Sequence, residues 1–165
     1  MTPSSSPSSP SKSQRLIETD ICIIGAVSGG LSVAAGAAQM GARTVLFEKG
    51  AMGGDCLNTG CVPSKALLAA GKLAHYGKGS SSMGISGQTE IDFAAVKAHV
   101  ASVIAGIAPH DSVERFESLG VTVISEEAHF ISPREAASQS VRVKARYFVV
   151  ATGSHAFVPP IPGLD

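Results

Sequence analysis

A compact apolar run at residues 21–24 breaks into glycine-rich residues 25–30, then into small helix-forming residues from 31 to 40. A short continuous apolar run bounded by glycine predicts a buried strand over residues 20–24. The change of period after it predicts a turn and then a helix, closed by Gly41. A second apolar run, Thr44–Phe47, predicts another strand with Glu48 at its end. Pro63 suits the first turn of a helix, where its missing N–H costs nothing, so a helix is expected from about Cys61 through Ala74. Residues 77–88 read as a Gly/Ser loop. Phe93–Ile107 spaces apolar residues at helical intervals; Pro109 breaks it, and Asp111 is placed to cap a second piece ending at Leu119. Gly120 opens a strand-rich return through Val121–Ile124, residues 141–143 and residues 147–151, with Ser132-Pro133-Arg134-Glu135 as a turn within it.

Composition narrows the setting. The first fifteen residues are almost entirely Ser, Pro, Thr, Lys and Gln, with too little apolar surface to order themselves. They lack the apolar stretch of a secretory signal, and are too short and Pro-rich for a transit peptide. Residues 1–17 are therefore expected to be a disordered tail, leaving one domain of roughly 150 residues. Residues 21–40 carry no charge and contain Gly25-x-x-x-Gly29, so a membrane span has to be weighed. Their Gly/Ala density and change of period favour a soluble strand–turn–helix. Thirteen basic and thirteen acidic residues cancel, which offers nothing to nucleic acid or anionic lipid. Three cysteines are too few and too odd in number for a secreted disulfide scaffold, and point to a reducing, cytoplasmic setting.

The strand–turn–helix–strand order, with glycines in the turn and an acid after the second strand, is the arrangement of a dinucleotide-binding unit. Backbone N–H groups of the turn and the helix start would face a pyrophosphate, and Glu48 would accept from ribose hydroxyls. One position departs from the Gly-x-Gly-x-x-Gly fingerprint. Gly25, Ala26, Val27, Ser28, Gly29 and Gly30 occupy it, and Val27 replaces the glycine that lets the backbone approach the ligand. A β-branched residue there adds bulk and resists positive φ, so weakened dinucleotide binding with the fold intact is expected.

Cys22 lies within the first strand and reads as an inert core residue. Cys56 and Cys61 are five positions apart and admit three readings: a redox-active pair, a structural disulfide or half of a metal site. No Cys-x2-Cys follows them, and His75, His99, His110, His129 and His155 show no paired ligand spacing. No metal ligands are assigned. Cys61 falls at a helix start with Lys65 one turn on, which makes it the expected more acidic thiol.

The run Gly53-Gly54-Asp55-Cys56-Leu57-Asn58-Thr59-Gly60-Cys61-Val62-Pro63-Ser64-Lys65 resembles the redox-active segment of the class I FAD-dependent pyridine nucleotide-disulfide oxidoreductases. This is the family of dihydrolipoamide dehydrogenase, glutathione reductase and mercuric reductase. Gly53-Gly54-Asp55 and Ile107-Ala108-Pro109-His110-Asp111 lean toward its mercuric reductase-like and dihydrolipoamide dehydrogenase-like branch. Ala151-Thr152-Gly153-Ser154 resembles the family's second FAD signature, with Ala156 where a proline is common, and Pro159-Pro160-Ile161-Pro162-Gly163 resembles its linker.

The resemblance implies an α/β fold: a Rossmann-like FAD-binding βαβ domain over residues 18–158, and residues 159–165 opening a linker toward an NAD(P)-binding domain. It implies FAD contacts at Gly25, Ser28, Gly29, Gly30, Glu48, Lys49, Gly54, Asp55, Cys56, Cys61, Lys65, Ala128, Ala151, Thr152 and Gly153. It makes Cys61 the flavin-facing thiol and Cys56 the interchange thiol of a redox disulfide. The acceptor would be a disulfide or a soft metal ion. NAD(P)H, a homodimer and a His-Glu acid/base pair belong to the longer family members, so an N-terminal fragment is expected. The alternative is a catalytically incompetent remnant, or a dithiol metal-binding module with weakened FAD binding.

Overall fold

Ten residues, Arg15–Ile24, form the first strand, β1. The computed structural model describes residues 14–154 and 157–164, so most of the expected tail, together with His155, Ala156 and Asp165, lies outside the described residues. Helix α1 (Ser28–Gln39) and strand β2 (Thr44–Phe47) follow, then short helix α2 (Gly54–Asn58) and long helix α3 (Cys61–Gly77). A small hairpin of β3 (Gly79–Ser80) and β4 (Ile85–Ser86) lies within the expected loop. Helices α4 (Phe93–Ile107) and α5 (Val113–Ser118) come next. Strands β5 (Val121–Ile124), β6 (His129–Ser132), β7 (Glu135–Ala137) and β8 (Val141–Val150) complete the fold.

Six strands make one sheet in the order β5-β2-β1-β8-β7-β6. The four strands β5, β2, β1 and β8 run parallel, while β7 and β6 pair antiparallel at the far edge. The fold is α/β, as expected. Alternate residues of β1 and β2 feed opposite faces. Cys22, Val45 and Phe47 join Ile124, Val141 and Val143 on one, and Ile23 and Leu46 join Leu31, Ala34 and Phe116 on the other. Small residues Ala34 and Ala37 let α1 lie close on the sheet. Gly41 ends α1 in the left-handed conformation, its N–H bonded to Ala38 O at 2.9 Å. The uncharged stretch 21–40 is thus the end of β1, the turn and α1.

Local signals misplace several boundaries. Arg15–Ile17, assigned above to the tail, open β1 rather than precede it, because each pairs with β8. The two strands expected at residues 141–143 and 147–151 are one continuous strand. Its alternating cations find acids on other segments: Arg142 bonds Glu135, Lys144 lies 3.1 Å from Glu18, and Arg146 lies 4.0 Å from Asp20. Ser112, not Asp111, caps α5, its Oγ accepting from Arg115 N–H at 3.2 Å. Helix α2 and strands β6 and β7 were not anticipated. Phe93–Ser118 is long and apolar enough to pass for a membrane span by composition, but a 3-10 turn over Ala108–Asp111 interrupts it at Pro109.

The parallel pairing brings three chain exits together. Gly25 leaves β1, Glu48 leaves β2 and Ala151 leaves β8, all at the carboxyl edge of the sheet, where open α/β sheets bind ligands.

Candidate functional site

The first turn is built for close approach. Gly25 has φ +102°, and a Cβ on it would stand 2.0 Å from Ala151 O. Its N–H donates to Phe47 O at 2.8 Å, and Ala151 N–H donates to Ile24 O at 2.8 Å, so the three exits are laced by backbone bonds. A Cβ on Gly30 would stand 2.0 Å from Gly25 O, whereas one on Gly29 would meet nothing within 4 Å. Val27 is the N-cap of α1 and offers no side-chain cap, so the first N–H groups of the helix, at Ser28, Gly29 and Gly30, are left for another acceptor.

Beside this turn is a cleft of about 250 Å³ lined by Ile24, Gly25, Phe47, Glu48, Lys49, Glu126, Glu127, Ala128, Thr152, Gly153 and Ser154. Of the expected contacts, Gly25, Glu48, Lys49, Ala128, Thr152 and Gly153 therefore converge. Glu48 is not a free carboxylate. Oε2 accepts from Ala26 N–H at 2.6 Å and Oε1 from Gly50 N–H at 2.7 Å, which holds the group at the mouth with lone pairs remaining. Lys49 is paired with Glu127 at 2.8 Å across the same rim, and that pairing lowers the Glu127 carboxyl below its ordinary value. Glu126 and Glu127 were not foreseen. Their signal was their position just after β5, at the carboxyl edge shared by its neighbours.

The thiol pair lies on the next stretch of chain. Gly53 N–H donates to Ala26 O at 3.0 Å, and a bridge joins Val27 to Gly53, tying the start of α2 to the glycine turn. Gly53 and Gly54 both take positive φ, which turns the chain sharply into α2. Asn58 locks that helix by donating to Gly54 O at 2.7 Å, and the Asp55 side chain accepts from Thr59 Oγ1. Cys56 is half-buried on α2 and Cys61 is exposed at the first residue of α3; both are free thiols. The Cys56 thiol is raised above its ordinary value, chiefly by its hydrogen bond to the Cys61 sulfur, with burial and charge on Cys61 adding to it. A backbone hydrogen bond from Cys61 and the charge of Lys65 pull it partly back. Cys22 is the contrasting thiol, fully buried, with burial pushing it up to about 12.

A second cleft of about 280 Å³ links the two features, lined by Val27, Glu48, Ala51, Gly54, Asp55, Asn58, Thr59, Thr152 and Ser154. Glu48, Thr152 and Ser154 belong to both clefts, so the two adjoin along the mouth. The glycine cradle, the uncapped helix start and the placed carboxylate fit the adenosine end of FAD. Val27 crowds the passage between the clefts. The positive φ that a valine resists is not required at this position, because Val27 has φ −75° and ψ 172°, ordinary extended backbone. Its bulk, not its backbone, is what departs from the fingerprint.

The model of the family described as pyridine nucleotide-disulphide oxidoreductase matches residues 19–165. The chain is 31% identical over 147 residues to mercuric reductase from Bacillus cereus, covering 88% of this chain and 23% of that protein. It is 36% identical over 156 residues to the mitochondrial dihydrolipoyl dehydrogenase of Pisum sativum, covering 89% and 30%. It is 40% identical over 117 residues to dihydrolipoyl dehydrogenase from Geobacillus stearothermophilus, covering 70% and 24%. The chain spans less than a third of the length of each of these relatives. A solved structure, the Cu(II) complex of the HOCl-induced flavoprotein disulfide reductase RclA from Escherichia coli, superposes with a TM-score of 0.69. At 24% identity, over 87% of this chain and 30% of that one, it bears on the fold alone. The cysteine run, the glycine turn and the second signature accordingly sit in one matched region, and the chain belongs to the pyridine nucleotide-disulfide oxidoreductases.

Proposed function

We propose that this chain is the FAD-binding, redox-dithiol portion of a flavoprotein disulfide oxidoreductase, of the mercuric reductase-like and dihydrolipoamide dehydrogenase-like kind. One observation carries the reading. A glycine cradle at the carboxyl edge of a parallel sheet is tied through the Val27–Gly53 bridge to a helix bearing one thiol, Cys56, whose hydrogen-bond partner is the second, Cys61. In this reading the Cys56–Cys61 pair would be the dithiol–disulfide couple that takes up an electron pair originating in NAD(P)H and hands it on to a disulfide or metal-ion acceptor. When bound, the flavin supplies the electron pair that opens the disulfide.

The chain's own residues do the rest. The turn and the start of α1 would hold the phosphates, Glu48 the ribose, and Ala128 would border the adenine. Cys61, exposed at the head of α3 with Lys65 one turn on, would be the thiol toward the flavin. Cys56 is the interchange thiol, and its proton must leave before it attacks. NAD(P)H oxidation and dimerisation are proposed only for a chain of the relatives' length, three to four times this one, working in a reducing, cytoplasmic compartment.

A second reading, a dithiol module that holds little flavin and at most sequesters soft metals, is favoured by Val27 alone. Colour separates the two. Purified chain reconstituted with excess FAD and freed of unbound cofactor should be yellow, and on reduction should develop a long-wavelength band that is absent in Cys61→Ser. A chain that stays colourless after reconstitution, with a Val27→Gly variant that is colourless too, rules the flavin reading out.

A further inference from the structure

Val27 is half-buried, yet its side chain belongs to neither core cluster. Its Cγ1 instead occupies the space in front of two glycines remote from it in sequence. A Cβ on Gly54 would stand 2.3 Å from that methyl, and a Cβ on Gly153 would stand 2.8 Å from it. Both glycines are left-handed, with φ +55° and +69°. Gly54 begins α2, the helix of Cys56, and Gly153 lies in the exit from β8. One isopropyl group, carried on the first of three segments, therefore meets the other two between the cleft of Ala128 and the thiols. Those segments are the turn, the start of α2 and the β8 exit.

We propose that Val27 is a built-in clasp: its side chain fills the diphosphate passage, holding those three segments together without ligand and competing with a bound dinucleotide for the same space. The inference rests on the flavin reading above and adds what this chain's departure from the fingerprint does. The sign of the effect follows from the backbone. Because Val27 sits at negative φ, replacing it by glycine relieves no strain, and removes only packing and chain stiffness. The unliganded fold must then lose stability while the passage opens. The same substitution should act in opposite directions on the free and the liganded protein, which a residue that is merely structural, or merely obstructive, would not do.

The test compares wild type, Val27→Ala and Val27→Gly by equilibrium FAD titration and by thermal melts with and without FAD. Without FAD, Val27→Gly should melt below wild type. Its FAD affinity should be about ten- to a hundred-fold higher, the equivalent of removing an overpacked side chain. Saturating FAD should therefore raise its melting point more than that of wild type, since stabilisation grows with ligand concentration over Kd. Val27→Ala should fall between the two, and carries the test if the glycine variant does not fold. Saturable binding with equal affinity in all three proteins overturns the clasp and leaves the flavin reading standing. Absence of saturable binding in all three overturns both.

Discussion

Gly29 and Gly30 are neighbours in the first turn of α1, but only Gly30 falls on a glycine position of the fingerprint, and the structure gives the two opposite responses to alanine. At Gly29 a new Cβ meets nothing within 4 Å and the backbone is helical, so the substitution only removes freedom from the unfolded chain. It should stabilise by about 0.5–1 kcal/mol. At Gly30 the same gain is opposed by a Cβ 2.0 Å from Gly25 O and 3.2 Å from the Ala151 side chain. Gly25 has nowhere to retreat, since its N–H is bonded to Phe47 O at 2.8 Å and its own Cα face abuts Ala151 O. Overpacking of this kind costs about 1–3 kcal/mol, occasionally more. The helix-propensity gain is common to both variants, so it cancels in their difference, and the overpacking term remains. At about 2–4 °C per kcal/mol for a domain of this size, Gly30→Ala should melt roughly 2–12 °C below Gly29→Ala. Thermal unfolding of the two unliganded variants, followed by circular dichroism, measures that gap. Midpoints that coincide, or a Gly29→Ala variant that is the less stable of the two, would refute the claim that Gly30 exists for contact with the Gly25 carbonyl.

The thiol pair and one acid supply two further tests. Because Cys61 is the main cause of the raised Cys56 thiol, Cys61→Ala should move the pH midpoint of Cys56 alkylation downward toward that of an ordinary cysteine; an unchanged or higher midpoint would show that the two sulfurs are not coupled. Glu126 is held below its ordinary 4.5 by hydrogen bonds from Ser138 and Ser140, Ser140 Oγ lying 2.6 Å away. A depressed carboxyl contributes stability that is complete above its unfolded value and is lost as pH falls through the lower folded value. Urea midpoints measured from about pH 6 down to about pH 3 should therefore fall less steeply in Glu126→Gln than in wild type, and parallel curves would remove Glu126 from the acid limb.

The elements legible in the sequence are those whose ends are set by neighbouring residues. Gly41 and Gly120 close α1 and α5 in the left-handed conformation, and Pro109 stops α4, so Thr44–Phe47, Val121–Ile124 and Phe93–Ile107 could be placed to the residue. What could not be read depends on partners distant in the chain. The cations of β8 look like a break until Glu135, Glu18 and Asp20 arrive beside them from other segments. Strands β6 and β7 are short, β6 has no buried residue, and their pairing is visible only from the edge they extend. The site divides in the same way. The thiol spacing, the glycines and Glu48 are local patterns, and the sheet brings them to one edge, whereas Glu127 reaches Lys49 from 78 positions away.

Val27 is the instructive case, because of the two effects the motif suggested, bulk and resistance to positive φ, only the bulk applies. A missing glycine suggests a residue forced into positive φ, yet Val27 is extended and unstrained. The positive φ values lie instead at Gly54 and Gly153, the two positions that give way to its methyl group. The accommodation is therefore shared among three segments that meet only after β1, β8 and α2 are in place, and its consequence differs from strain. Strain would destabilise this chain with or without a ligand. A side chain seated between two yielding glycines stabilises the empty site, and opposes only what must pass through it.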